Sequence, residues 1–369
     1  MRDTLICTVG TSLMGNVARA DDAELVRLLD ARNAKGLAVK LGSFEPDEHL
    51  LGAEINSIHS IVSQGLITER KKLLFLVSDT DDGRFTGNIL SLYFKGGSNL
   101  HRFEDAGYEV IEGLTDTDVN LFRNTGLKNL VRLIAGVVRR FGAGRVLINA
   151  TGGYKAQISF AGMIGQALGI PVCYLFERFS SVIQLPPQPI SLDLSFWLEF
   201  AGTFYELDAV SNYDACDVHD ERFATLVEEI DLDGKRFRSL SPTGQLFHET
   251  FRYRFSQKSP VLLPEDSGIP PEKKKVRFED GNAGKHKGLE NYLGRICETP
   301  YVKEIYTHYY HPDLTRPGIF RIPSKDISAQ VEGWFCNAGA LTKFAVNTTA
   351  ATEEQVSACI ADLNERFGA

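Results

Sequence analysis

Short, nearly unbroken apolar runs recur through the first half of the chain, at Leu5–Val9, Leu73–Val77, Arg145–Asn149 and Pro171–Phe176. Between them, apolar residues return at helical spacing over Asp22–Ala34, Glu48–Val62, Asn120–Phe141 and Tyr154–Leu168. Runs that do not alternate suit strands buried on both faces, and strand–helix alternation implies a parallel sheet covered on both sides. The pattern predicts a Rossmann-like α/β domain with a mostly parallel sheet over residues 1–190. Ligands of such sheets bind beyond the carboxyl ends of the strands. Residues 191–270 are less regular and read as a helical, winged-helix-like connector ending in a Pro- and Gly-rich linker between Ser259 and Pro271. Within it, Ser241 as N-cap and Pro242 at the first helical position open a helix. A DNA-reading winged helix wants a basic recognition helix; Arg252, Arg254 and Lys258 offer a modest one, so the connector reads as structural. Residues 271–369 read as a small α+β domain. Its expected order is a strand at Lys275–Phe278, a helical stretch at Leu289–Tyr309 divided by Pro300, three strands, and a closing helix at Glu353–Phe367. The three strands are Gly318–Ile322, Ala329–Cys336 and Leu341–Thr348. Thr352 is the expected N-cap of the closing helix, with Gln355 three residues on.

Charge refines this division. The 369 residues hold 40 Lys and Arg against 48 Asp and Glu, a net of −8, which argues against a protein that coats nucleic acid through bulk positive charge. The acidity belongs to residues 1–272, with 27 basic and 36 acidic side chains; residues 273–330 hold 11 basic and 7 acidic, a net of +4. No apolar run reaches the roughly 18–20 residues that span a bilayer, so no membrane role is expected. The N-terminus Met1-Arg2-Asp3-Thr4 does not look like a signal peptide, and the six scattered cysteines form no CxxC pair. A reducing cytoplasmic location is expected.

Two strand ends carry unusual chemistry. Gly10-Thr11-Ser12 follows the first strand, and Thr151-Gly152-Gly153-Tyr154-Lys155 follows Asn149. Glycines let backbone approach a ligand, and a helix beginning at the second loop favours an anion there. Thr151 and Lys155 add a hydroxyl and a positive charge, so the set reads as a phosphate cradle. A third strand end, beginning Ser78-Asp79, offers acceptors for a base or ribose. Neither GxxxxGK[ST] nor GxGxxG is present, which weighs against a nucleoside triphosphate or NAD.

The strand–Gly-Thr-Ser segment, followed about 140 residues later by Asn149-Ala-Thr-Gly-Gly-Tyr-Lys155, resembles the CARF domains. These are the CRISPR-associated Rossmann-fold sensors of type III antiviral systems. The resemblance covers roughly residues 1–190. It implies a homodimer that binds cyclic oligoadenylate, most often the tetra-adenylate, as an allosteric activator, with no other cofactor. A ring of four identical nucleotides has near-twofold symmetry, which a twofold dimer matches. By this resemblance Gly10, Thr11, Ser12, Ser78, Asp79, Asn149, Thr151, Gly152, Gly153, Tyr154 and Lys155 form the ligand site. Some family members cut the ring slowly, and Ser12 and Lys155 are the matching positions for that chemistry.

The output domain is less marked. The Arg–spacer–His signature of HEPN ribonucleases is absent at all eight histidines. Glu272-Lys273-Lys274 is a poor second half of a metal-nuclease motif. His308 and His311 lack a third ligand at telling spacing, so no metal is expected. The element order and charge of residues 273–369 resemble RelE-type toxins, ribonucleases that cut messenger RNA on the ribosome. That resemblance implies metal-independent RNA cleavage by Lys, Arg and Tyr side chains, with the ribosome and messenger RNA as partners. Arg321 and Lys325 are the favoured phosphate-facing pair, with Arg295, Lys285 and Tyr310 as further catalytic candidates. Lys287, Arg316, Lys343, Tyr306, Tyr309 and His286 complete the local inventory. Trp334 and Phe335 read as core, and Glu199, Glu206 and the acids at 214–229 as a solvated face. Two rival readings stand beside this one: a ligand-controlled DNA-binding regulator, and a stand-alone ring nuclease.

Overall fold

The computed structural model describes residues 1–96, 99–176, 178–188, 194–209, 220–232, 235–279, 284–323 and 329–368. These form two compact units, Met1–Ile190 and Ser191–Ala369.

The first unit runs β1 (Thr4–Thr8), α1 (Ser12–Ala18), α2 (Ala23–Asp30), α3 (Ala34–Leu41), α4 (Gly52–Ser63), β2 (Lys72–Ser78), α5 (Asp81–Lys95) and β3 (Asp105–Ile111). It continues through α6 (Val119–Leu121), α7 (Leu127–Phe141), β4 (Val146–Asn149), α8 (Lys155–Leu168), β5 (Val172–Tyr174) and β6 (Ile183–Leu185). The sheet order is β3-β2-β1-β4-β5-β6. All pairings are parallel except that of β5 with β6. The sequence expectation of a doubly wound, mostly parallel sheet holds. Each residue of β1 and β4 is buried, as inner strands covered on both faces must be. The edge strands β3 and β6 were not anticipated, because β3 is largely exposed and mixes Asp105 and Glu109 among its apolar residues, and β6 is only three residues long. The helical stretch expected at 120–141 is interrupted by one π-helical turn, Phe122–Gly126.

The second unit runs α9 (Ser195–Glu199), α10 (Ala201–Ala209), β7 (Val227–Leu232), β8 (Lys235–Leu240), α11 (Pro242–Leu262), β9 (Lys275–Phe278) and α12 (Leu289–Cys297). It ends with β10 (Val302–His311), β11 (Phe320–Arg321), β12 (Gln330–Asn337), β13 (Ala340–Thr348) and α13 (Glu353–Phe367). Five strands form a sheet in the order β11-β12-β13-β10-β9, antiparallel except for β9 with β10. One apolar core joins Trp197, Phe204, Phe251 and Phe255 of the connector to Leu293, Ile305, Phe344 and Ile360. The residues expected as a connector therefore pack as part of this unit, and they contain the β7–β8 hairpin as well as helices. Ser241 and Thr352 cap their helices, accepting from Gly244 N at 3.0 Å and Gln355 N at 3.2 Å.

The helical expectation for Leu289–Tyr309 is corrected. The helix ends at Cys297, and Val302–His311 is a strand. Pro300 ends the helix, and beyond it Val302, Ile305 and Thr307 are buried while Lys303 and His308 are exposed, a strand-like alternation with two irregularities, between Val302 and Glu304 and between Thr307 and Tyr309. Trp334 packs in a satellite cluster with Ile319 and Leu341, and Phe335 against the main core. The acids expected on a solvated face are ion-paired: Glu199 with Arg222, and Glu206 with Arg321. Residues 214–219 of that face lie outside the described residues. Cys7, Cys173, Cys297, Cys336 and Cys359 are free thiols.

Candidate functional site

The strand order places the crevice between β1 and β4, where the chain's winding reverses. Their parallel register, ending with Cys7 opposite Asn149, brings the loop at Gly10 against the loop at Gly152. The approach is close enough to require glycine. A Cβ on Gly10 would lie 2.8 Å from Gly153 N, and one on Gly152 would lie 3.0 Å from Gly10 N and 1.9 Å from Glu54 Oε1. Gly153 has φ +110°, a conformation that side chains rarely allow. Thr8 Oγ1 donates to Gly152 O at 2.5 Å and ties the second loop to the first strand.

Glu54, from α4, sits beneath both loops and is 1% exposed. Its Oε1 accepts from Gly10 N at 2.7 Å, and its Oε2 accepts from Ser12 Oγ at 3.5 Å. Burial raises its pKa, opposed by the Gly10 N–H and the Ser12 hydroxyl. Sequence reading missed this residue. The motif residues lie in two loops, while Glu54 comes from a separate helix with no spacing signal to either.

The expected ligand residues fall into three groups. Gly10, Gly152 and Gly153 make the contact between the loops, while Thr11, Ser12 and Lys155 are exposed at the two helix starts. Lys155 opens α8, where unsatisfied N–H groups and its own ammonium favour an anion. Asn149 and Thr151 instead brace the loop: Asn149 Nδ2 donates to Ser57 Oγ at 2.7 Å, and Thr151 Oγ1 donates to Asn149 Oδ1 at 2.6 Å. Thr151 Oγ1 also accepts from Leu175 N at 3.0 Å. Likewise Asp79 accepts from Arg84 at 2.5 Å and from Gly113 N at 3.0 Å, and Ser78 is bonded to Thr80 at 2.9 Å. Tyr154 packs edge-on against Phe122 of the π turn, with centroids 5.4 Å apart. Burial, aided by the Asp116 carboxylate, raises the Tyr154 pKa.

In the second unit the expected catalytic residues are not gathered at one place. Arg321 pairs with Glu206 at 3.7 Å and lies 5.3 Å from the Trp334 ring. Tyr310 points to the opposite, core-side face, 5.8 Å from the ring of buried His286. Arg295 is on α12 over Phe367, and Lys285 is exposed in the turn before α12. Lys325 lies outside the described residues.

The first unit is thus a Rossmann-like domain with two glycine loops in close contact at its strand reversal. Residues 49–188, less than half of the chain, match the model of the CRISPR-associated protein family Cas_APE2256. A solved structure, Can2 from Sulfobacillus thermosulfidooxidans in complex with cyclic tetra-adenylate, aligns with 12% identity over 72% of this chain and 70% of that chain. Its TM-score of 0.26 is too low to carry weight. No curated protein matches the sequence.

Proposed function

We propose that the protein is a cyclic-oligoadenylate-responsive effector of type III CRISPR defence whose second unit cleaves RNA. The observation carrying this reading is the contact of the Gly10 and Gly152 loops, with Lys155 exposed at the helix start that follows. Hydrogen bonds from such groups to a phosphate contribute about 1.5–3 kcal/mol each, so a few suffice for firm binding. The family match over residues 49–188 supports the CRISPR context. The activator is cyclic tetra-adenylate, bound by a homodimer that offers each half of the ring an equivalent cradle. Ligand binding favours the active arrangement of the second unit, a coupling typically of about 1–3 kcal/mol. That unit acts as a RelE-like, metal-independent ribonuclease on ribosome-bound messenger RNA. Slow ring cleavage at Ser12 and Lys155 is a secondary activity.

The test is translation of a defined message in a cell-free extract, with and without cyclic tetra-adenylate, followed by mapping of message ends. Ligand-dependent, codon-phased cuts are expected. Cuts equally frequent in free RNA would overturn ribosome dependence, and retarded promoter DNA with intact messages would favour a regulator. Lys155→Ala should lower ring affinity at least 10-fold, read by titration of labelled ring, because it removes a charged contact.

A further inference from the structure

The strand β10 carries a register irregularity between Thr307 and Tyr309. A bulge sets two consecutive residues on one side of a sheet, a device that re-aims side chains and recurs beside active sites. Here it turns both His308 and Tyr309 away from the core, while Thr307 and Tyr310 pair on the core side. His308 Nε2 lies 3.7 Å from Glu332 Oε2. Glu332 is held in turn, its Oε1 accepting from Trp334 Nε1 at 2.8 Å. The Lys343 ammonium lies 4.6 Å from the Trp334 ring and 5.4 Å from the Tyr309 ring. Nearby, Tyr306 accepts from Gln330 Nε2 at 2.7 Å. A half-exposed imidazole backed by a buried carboxylate, a cation and an exposed aromatic ring therefore share one sheet face.

We propose that this face is the RNA-cleaving site, with His308 as the general base, Glu332 as its positioning residue and Lys343 as the phosphate cation. The inference rests on the ribonuclease reading above and moves the chemistry away from Arg295, Lys285 and Tyr310. His308 takes the proton of a ribose 2′-hydroxyl, and the 2′-oxygen bonds to the adjacent phosphorus. The bond from phosphorus to the 5′-oxygen breaks, and that oxygen takes a proton from water. The products are a 2′,3′-cyclic phosphate and a 5′-hydroxyl, and His308 returns its proton to solvent. Glu332 fixes the ring and stabilises the imidazolium, as carboxylates do beside catalytic histidines. Tyr309 supplies a stacking surface for a base.

The experiment uses the full chain with cyclic tetra-adenylate and a message in the cell-free extract. Wild-type cuts should end in 2′,3′-cyclic phosphate and vanish at a 2′-deoxy position. His308→Ala should slow cleavage about 100-fold, with ring affinity and unfolding temperature unchanged, and added imidazole should restore part of the rate. The His308 side chain is 34% exposed, so its removal leaves no core cavity. Glu332→Gln keeps the Trp334 hydrogen bond and should lower kcat with KM unchanged. If wild type cleaves while both variants stay within about threefold of it, the site is refuted and the ribonuclease reading survives. Cuts leaving a 3′-hydroxyl also refute the site. If ligand-bound wild type cleaves no RNA, both fall.

Discussion

Glu54 shows how one buried carboxyl organises the contact between two glycine loops. Because burial raises its pKa in the folded protein, the native state holds its proton to higher pH than the unfolded chain does. Its favourable contribution is then full below the unfolded value and is lost as pH rises through the folded one. Glu54→Gln should therefore gain stability relative to wild type as pH increases from about 4.5 upward, read by denaturant unfolding across pH. A variant that follows wild type in parallel at every pH would contradict this. Gly152→Ala places a methyl against Glu54 and should cost about 1–3 kcal/mol in unfolding free energy and sharply weaken ring binding. The glycines were legible in the sequence, since close backbone approach leaves few other residue types. The roles of Asn149 and Thr151 were not, because a polar side chain in a motif looks the same whether it faces a ligand or braces the loop from below.

At the scale of elements, strands buried on both faces announced themselves by unbroken apolar runs, and capped helices by Ser241-Pro242 and Thr352. The segment Val302–His311 did not. Tyrosines and histidines spaced along it suit a helix stripe as well as a strand, and the bulge spoils the period of two that would have decided between them. The basic residues of α11 were equally ambiguous in sequence. Arg252 is engaged by Glu249 at 3.1 Å and by Glu365, whose carboxylate also accepts from Tyr205 at 2.5 Å. It therefore ties α11 to α13 and does not offer a free charge to DNA. Arg252→Ala would take the guanidinium away from the buried Glu249 carboxylate, which keeps neutral partners such as Gln245 Nε2 at 3.4 Å, and should cost about 2–4 kcal/mol in unfolding experiments. A loss under about 1 kcal/mol would mean the pair contributes as a surface bridge does.

At the scale of the whole molecule, the boundary that composition suggested near residue 270 separates charge and not cores. The aromatic residues of α9, α10 and α11 belong to the same core as the five-stranded sheet. A fragment of residues 271–369 should therefore be aggregated or unfolded by circular dichroism, whereas 191–369 should unfold cooperatively. A soluble, cooperative shorter fragment would refute this account. The pairing of β1 with β4 has a consequence in time. β1 is an inner strand of its sheet, and its partner β4 leaves the ribosome more than a hundred residues after it. At about 5–20 residues per second, the two loops meet only on the order of ten seconds after the first is synthesised. Under the function proposed above, a nascent chain would be deaf to its signal, and a cell already flooded with alarm molecules could still finish making the protein before it is set off.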